Sequence, residues 1–211
     1  MNYLQLVNDF MIETSMDDQI SSVLAQLDDG LKATTWIRDA WTEIQRNETW
    51  KFRWAEGSFP TVAAQRRYTL AQQNRVAGDK LDRTQLTIGT GRLTEVDYDL
   101  VRFSTSPGTP TLFSVRPDES IELYYIPNAI ETVNYEYWKA PVVLADDTDT
   151  PDIDPDWHKA IVWKAIINYA REQGREWDGL YRAANREFKT IYSDMLIEFL
   201  PPYQGKVPLD G

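Results

Sequence analysis

Hydrophobic positions recur at helical spacing toward both ends of the chain and alternate between them. Tyr3, Leu6, Val7 and Phe10 fall three and four apart, which predicts a short amphipathic helix over residues 3–14. Ile20, Val23, Leu24 and Leu27 predict one or two further turns, and Asp28-Asp29-Gly30 then interrupts and offers a cap to the next helix. That helix has the clearest pattern in the N-terminal part. Ala33, Trp36, Ile37, Ala40, Trp41 and Ile44 keep the spacing without a miss, so one face is apolar and carries two indoles. Core packing is the favoured role for both.

From Trp50 the period changes. Lys51-Phe52-Arg53-Trp54 alternates as a strand does, and strand-like segments follow at 67–70, 85–88, 92–98, 111–116, 120–126 and 131–138. Gly89-Thr90-Gly91, Ser106-Pro107-Gly108, Pro117-Asp118 and Pro127-Asn128 punctuate them as turns. Several short strands with regular turn signals predict a compact antiparallel sheet or sandwich. Residues 146–156 read as an acidic, proline-containing linker, ending in Asp154 as a helix cap and Pro155 at the first helical position. Ile161, Val162, Ala165, Ile166, Tyr169 and Ala170 mark a helix that Gly174 ends. A last helix spans residues 177–199, and Pro201-Pro202 stops it.

The expected fold class is α+β: a helical bundle formed by N- and C-terminal helices, with a central antiparallel β insertion. The expected division is residues 1–49 with 152–200 as a helical domain, 50–145 as the β-rich insertion, and 201–211 as an extended C-terminal tail. Two helices alone bury too little surface, so the two ends of the chain need each other.

Composition narrows the functional classes. The chain has no cysteine, which removes disulfides, thiolate nucleophiles and cysteine-based metal sites. A formal net charge of -11, with no basic run, argues against a protein that grips nucleic acid electrostatically. The N-terminus lacks the basic region of a signal peptide, and the longest apolar stretch, residues 160–170, is broken by Lys164 and Asn168, so no membrane span is expected.

Candidate chemistry is sparse. The only histidine, His158, lies close to Asp154 and Asp156, an Asp–His pairing that catalysis can use, but neither G-x-S-x-G nor H-E-x-x-H accompanies it. A helix-surface or interface histidine is the favoured role. One histidine and no cysteine exclude the usual zinc site within one chain. Counted from Asp146, the acidic linker has Pro151 and Trp157 where a calcium loop needs Gly and Glu. Gly89-Thr90-Gly91 lacks the third glycine of a dinucleotide fingerprint, since Thr94 stands there, and reads as a hairpin turn. Asp97 with Asp99, and Glu119 with Glu122, are carboxylate pairs of the kind chance supplies among 33 acidic residues. No catalytic residue, cofactor or metal is expected. Tyr124, Tyr125, Tyr135, Tyr137 and Trp138 lie on expected strands, with Tyr135 and Tyr137 on one strand face and Trp138 on the other, a set that suits either a sandwich interior or a sugar- or protein-binding face.

The ordered run of Ile20, Trp36-Ile37, Ala40-Trp41, Glu43-Ile44-Gln45, Trp50 and Trp54 resembles the head-to-tail adaptor proteins of tailed bacteriophages. In those proteins a helix with a tryptophan- and alanine-bearing face leads into an aromatic strand. Tyr137, Pro141, Leu144, Pro151, Pro155, Trp157, His158, Ile161, Ala165 and Tyr169 are similar to the stretch where such adaptors close their sheet, cross an acidic linker and start a helix. The resemblance spans roughly residues 3–200 and rests on order and spacing. It implies a non-enzymatic virion protein, assembled in the host cytoplasm and placed in the neck between capsid and tail. It further implies a ring, typically of twelve copies, beneath the portal protein. Such a ring contacts tail or neck proteins and passes genomic DNA without specific binding. The C-terminal segment is implied as the portal-engaging part, here Pro201, Pro202, Tyr203, Val207, Pro208 and Leu209. The other readings are a tail-completion or neck protein of the same virion and, from a different class, a carbohydrate-binding module.

Overall fold

The computed structural model describes residues 1–16, 19–103 and 105–200. The helices are α1 (Tyr3–Glu13), α2 (Asp28–Asn47), α3 (Tyr98–Val101), α4 (Lys159–Gln173) and α5 (Asp178–Phe199). The strands are β1 (Trp54–Pro60), β2 (Arg67–Tyr68), β3 (Lys80–Ile88), β4 (Gly91–Arg92), β5 (Thr94–Glu95), β6 (Leu112–Val115), β7 (Ile121–Tyr124) and β8 (Thr132–Trp138). The class is α+β, with helices at both ends of the chain and strands between. Two compact units divide the chain: Met1–Phe52 with Pro141–Gly211, and Arg53–Ala140.

In the helical unit α4 is the centre, packed against α1, α2 and α5. It is buried on nearly every side, through Ala160, Ile161, Val162, Ala165, Ile166, Ile167, Tyr169 and Ala170. Gly174 closes it with φ 89°, a conformation that costs a residue with a Cβ. By contrast α5 presents one stripe to the core, with only Ala184 and Met195 fully buried. α1 opens with a reciprocal cap: the Asn2 side chain accepts from Gln5 N and the Gln5 side chain accepts from Asn2 N, both at 2.9 Å.

Three sequence expectations fail between residues 19 and 53. Residues 19–27 form no helix, because side chains take their backbone groups. The Asn8 amide bonds both N and O of Ile20 (2.9 and 3.0 Å), and Asp147 accepts from Val23 N at 2.5 Å. Asp28 and Asp29 do not cap α2 from outside but form its first turn, where negative charge suits the helix dipole. Lys51–Arg53 is a 3-10 turn rather than a strand. Its Phe52 ring stacks on Trp50 and Trp41 (centroids 5.6 and 6.1 Å) and meets Phe199 edge-on, so this segment belongs to the helical core.

The β unit holds two four-stranded sheets, ordered β1-β8-β3-β4 and β2-β7-β6-β5. Phe59, Leu81, Leu86, Ile88, Val133 and Tyr135 from the first share one core with Tyr68, Phe113, Ile121 and Leu123 from the second. The Phe59 and Tyr68 rings lie 4.9 Å apart across it. The pairings are antiparallel except β5 with β6, which is parallel. Residues 92–98, expected as one strand, are instead a crossing between sheets. β4 ends the first sheet, Leu93 is buried at the passage, β5 joins the second, and α3 follows.

Candidate assembly surfaces

The residues that carry candidate chemistry are committed to holding the fold. His158 is 2% exposed. Its Nε2 bonds the Ile153 carbonyl at 3.0 Å, and its Nδ1 lies 2.6 Å from the Met1 nitrogen. Burial, together with the positive charge on Met1, pushes its pKa below the ordinary value, so the neutral ring is the native form. Asp154 accepts from Asp156 N, not from the histidine, and caps the turn Pro155–Trp157. In the linker, Asp147 accepts from Val23 N and Ser22 Oγ, and Asp149 accepts from Ala145 N and Asp146 N, which holds its carboxyl below the usual range. Backbone bonds hold the loop against α1, whose Tyr3 and Leu4 amides donate to the Asp149 and Asp147 carbonyls.

Both carboxylate pairs come apart. Asp97 caps α3 by accepting from Asp99 N, while Asp99 pairs with Arg102 at 3.2 Å. Glu122 is buried between Arg66 (3.1 Å) and Arg116 (2.8 Å) and accepts from the Tyr124 hydroxyl at 3.3 Å. Glu119 is engaged through its carbonyl, which accepts from Gln73 Nε2 at 3.3 Å. Gly89-Thr90 forms the two-residue turn of the β3–β4 hairpin, with Ile88 opposite Gly91. Tyr135 points into the sandwich and donates to the Gln73 carbonyl, and burial pushes its pKa up to about 12. Tyr124 is buried as well, leaving Tyr125 exposed. The tail residues Pro201, Pro202, Tyr203, Val207, Pro208 and Leu209 lie outside the described residues.

What remains available are surfaces. On the helical unit Leu24, Leu27 and Leu31 are exposed together around the start of α2, Leu27 at 76%. On the β unit, backbone bonds gather three loops at one end of the sandwich. Thr61 N donates to Glu131 O (2.7 Å), Ala64 N to Pro127 O (2.9 Å) and Ile126 N to Ser106 O (3.0 Å). These loops expose Val62, Phe103, Tyr125 and Ile130, with Phe103 at 79% and Ile130 at 77%. Clusters of exposed large apolar side chains mark interaction sites more often than scattered ones do. Among the described residues no helix is long and apolar enough to cross a membrane, and no group of three or more His, Asp or Glu is arranged to hold a metal ion.

A family model described as the SU10 adaptor protein matches residues 1–198. The chain belongs to the SU10 adaptor family. This is a family of phage head-to-tail adaptors, so the adaptor is a structural phage protein that connects head to tail, and membership implies contact with portal and tail proteins. No curated protein matches the adaptor significantly. Sequence reasoning found the adaptor's periodic helices but missed the Arg66–Glu122–Arg116 cluster and the two exposed apolar patches. The ion cluster and the loop patch depend on which strands and loops become neighbours, which no local pattern encodes, and the leucine patch depends on residues 19–27 forming no helix.

Proposed function

We propose that the adaptor assembles as a homo-oligomeric ring of twelve copies beneath the portal protein. There it extends the channel for the genome and seats the tail or neck proteins. Family membership across residues 1–198 is the observation that carries this reading. Its site is the virion neck, reached after assembly in the host cytoplasm. The role is non-enzymatic and takes no cofactor, in keeping with His158, Asp154 and Glu122 being engaged in bonds that hold the fold.

A ring built head to tail needs two different patches on each subunit. The leucine cluster of the helical unit and the loop cluster of the β unit supply two candidates. A net charge of -11 disfavours adhesion of DNA phosphates, which suits passage without specific binding. The tail, through Pro201, Pro202, Tyr203, Val207, Pro208 and Leu209, is the proposed portal-engaging segment: prolines limit its freedom before binding, and Tyr203, Val207 and Leu209 offer apolar anchors.

Cryo-electron microscopy of the adaptor mixed with portal rings from the same phage tests this. The expected result is a second ring, symmetric with the portal and touched by residues 201–211. No association at any salt concentration would overturn it. Binding to isolated tails alone would favour a tail-completion protein, and glycan binding by the free chain would favour a carbohydrate-binding module.

A further inference from the structure

The outward face of the sheet β1-β8-β3 is built in rungs. Side chains alternate along each strand. Phe59, Val133, Tyr135 and Leu81 point into the core, so their neighbours Trp54, Glu56, Glu136, Trp138, Lys80 and Asp82 point outward. Pairing register sets Glu56 opposite Glu136, and Glu136 opposite Asp82. Three carboxylates therefore stand in one row across three adjacent strands. The next rung is Trp54, Trp138 and Lys80, and the Trp54 indole N–H donates to Glu136 at 3.0 Å. Like charges directly opposite on a sheet work against folding. The row has no cation of its own: Glu56 makes no hydrogen bond or ion pair among the described residues, and Asp82 bonds only Thr84, through its amide and its hydroxyl (2.9 and 2.6 Å).

The complementary row lies on α5. Arg182, Arg186 and Lys189 follow one another at four- and three-residue steps and are all exposed. They sit on the side of the helix away from Ala184, Phe188 and Met195, which face the core. Arg182 and Lys189 make no ion pair among the described residues, and Arg186 pairs only with its neighbour Glu187. In a chain with net charge -11 this is a local reversal of sign. The dimensions agree: seven residues of helix rise about 10 Å, and three strands place their outer carboxylates about 10 Å apart.

We propose that α5 of one copy lies across the β1-β8-β3 face of the next, with Arg182, Arg186 and Lys189 set against the Glu56–Glu136–Asp82 row. The occupant of the acidic face is thus a second copy of this chain. The contact joins a helical surface to a sheet surface and is heterologous, so repeating it builds a chain of copies that closes into a ring when the rotation between them divides a full turn, rather than a closed pair. The two indoles flank the row, where an arginine can lay its guanidinium over a ring while pairing with a carboxylate. The proposal rests on the ring reading above and names the contact that closes the ring.

Charge exchange on the full chain tests it, with self-association followed by sedimentation and ring formation by imaging on portal rings. The triple change Arg182→Glu, Arg186→Glu and Lys189→Glu is expected to weaken association at least tenfold, and Glu56→Lys with Glu136→Lys to do the same. All five residues are at least partly exposed, and circular dichroism establishes that each variant folds. Mixing the two variants, whose reversed faces match one another, restores association, and added salt weakens it in every competent pair. If the wild type forms rings and both variants form them equally well, this contact is wrong while the ring reading stands. Self-association through these faces that yields no ring when portal rings are added upholds the contact and removes the ring reading. No self-association of the wild type under any condition overturns both.

Discussion

At the scale of single residues, polar side chains inside this protein are anchors. His158 joins the start of α4 to the Met1 nitrogen and the Ile153 carbonyl, and it does so as a neutral ring. Its pKa lies below 6.5 mainly because burial disfavours the cation, with Met1 adding to the effect. The unfolded chain therefore binds the proton more readily, and stability falls as pH drops below about 6.5, before most carboxylates titrate. Melting temperatures between pH 7.5 and 5.5 are expected to decline in the wild type. In His158→Gln they start lower but change less across that window; an unchanged slope would refute the assignment. Glu122 is a second anchor. Removing it in Glu122→Ala leaves Arg66 and Arg116 facing each other with their shared partner gone, at a cost of about 3 kcal/mol, reduced by whatever the partly exposed arginines recover from water. Glu122→Gln keeps an acceptor and is expected to cost less. Urea denaturation of both variants measures the difference.

At the scale of elements, sequence legibility tracked how local each cause was. Helices α2, α4 and α5 were readable because their apolar spacing and the Gly174 stop are local features. The alternation at Lys51-Phe52-Arg53-Trp54 misled because Phe52 answers to rings as distant as Phe199, not to its neighbours. Likewise residues 92–98 carry strand-like composition, but the chain must leave one sheet and join the other at Leu93, which shortens β4 and β5 to two residues each. The requirement for Gly57 was also invisible in sequence. Cross-strand register puts it opposite Tyr135, and a Cβ there would sit 2.3 Å from the Tyr135 ring and hydroxyl. Gly57→Ala must displace a ring that anchors Gln73 from inside the core, and about 1–3 kcal/mol of stability is expected to be lost. Adding Tyr135→Leu should make the pair less costly than the sum of its parts, because the clash vanishes with the ring. Strict additivity in chemical denaturation would show that the two residues do not collide.

At the scale of the whole molecule, function is distributed over surfaces, and surfaces are what a single sequence conceals best. The order of tryptophans, acidic linker and proline-initiated helix pointed to the family, because family resemblance follows chain order. The leucine cluster near α2 is local in sequence but its exposure is not legible there, and the carboxylate row across β1, β8 and β3 joins three distant segments, so each emerges as a surface only with the fold. The tail is the reverse case: it is contiguous and legible, and its proposed role can be tested apart from the fold. Among the described residues Leu200 is the last that packs against either core. A chain ended after Leu200 is therefore expected to melt at the same temperature as the full chain. If residues 201–211 engage the portal, the same truncation weakens binding to portal rings at least tenfold, or about 1.4 kcal/mol. Separate replacement of Tyr203, Val207 and Leu209 by Ala then divides that loss among the apolar anchors, whereas a role for the prolines as stiffeners appears as a slower association with Pro201→Gly and Pro202→Gly. Full portal affinity in the truncated chain would move the contact to the two exposed patches, where Leu27 in the leucine cluster and Phe103 in the loop cluster are the most exposed apolar side chains to replace next.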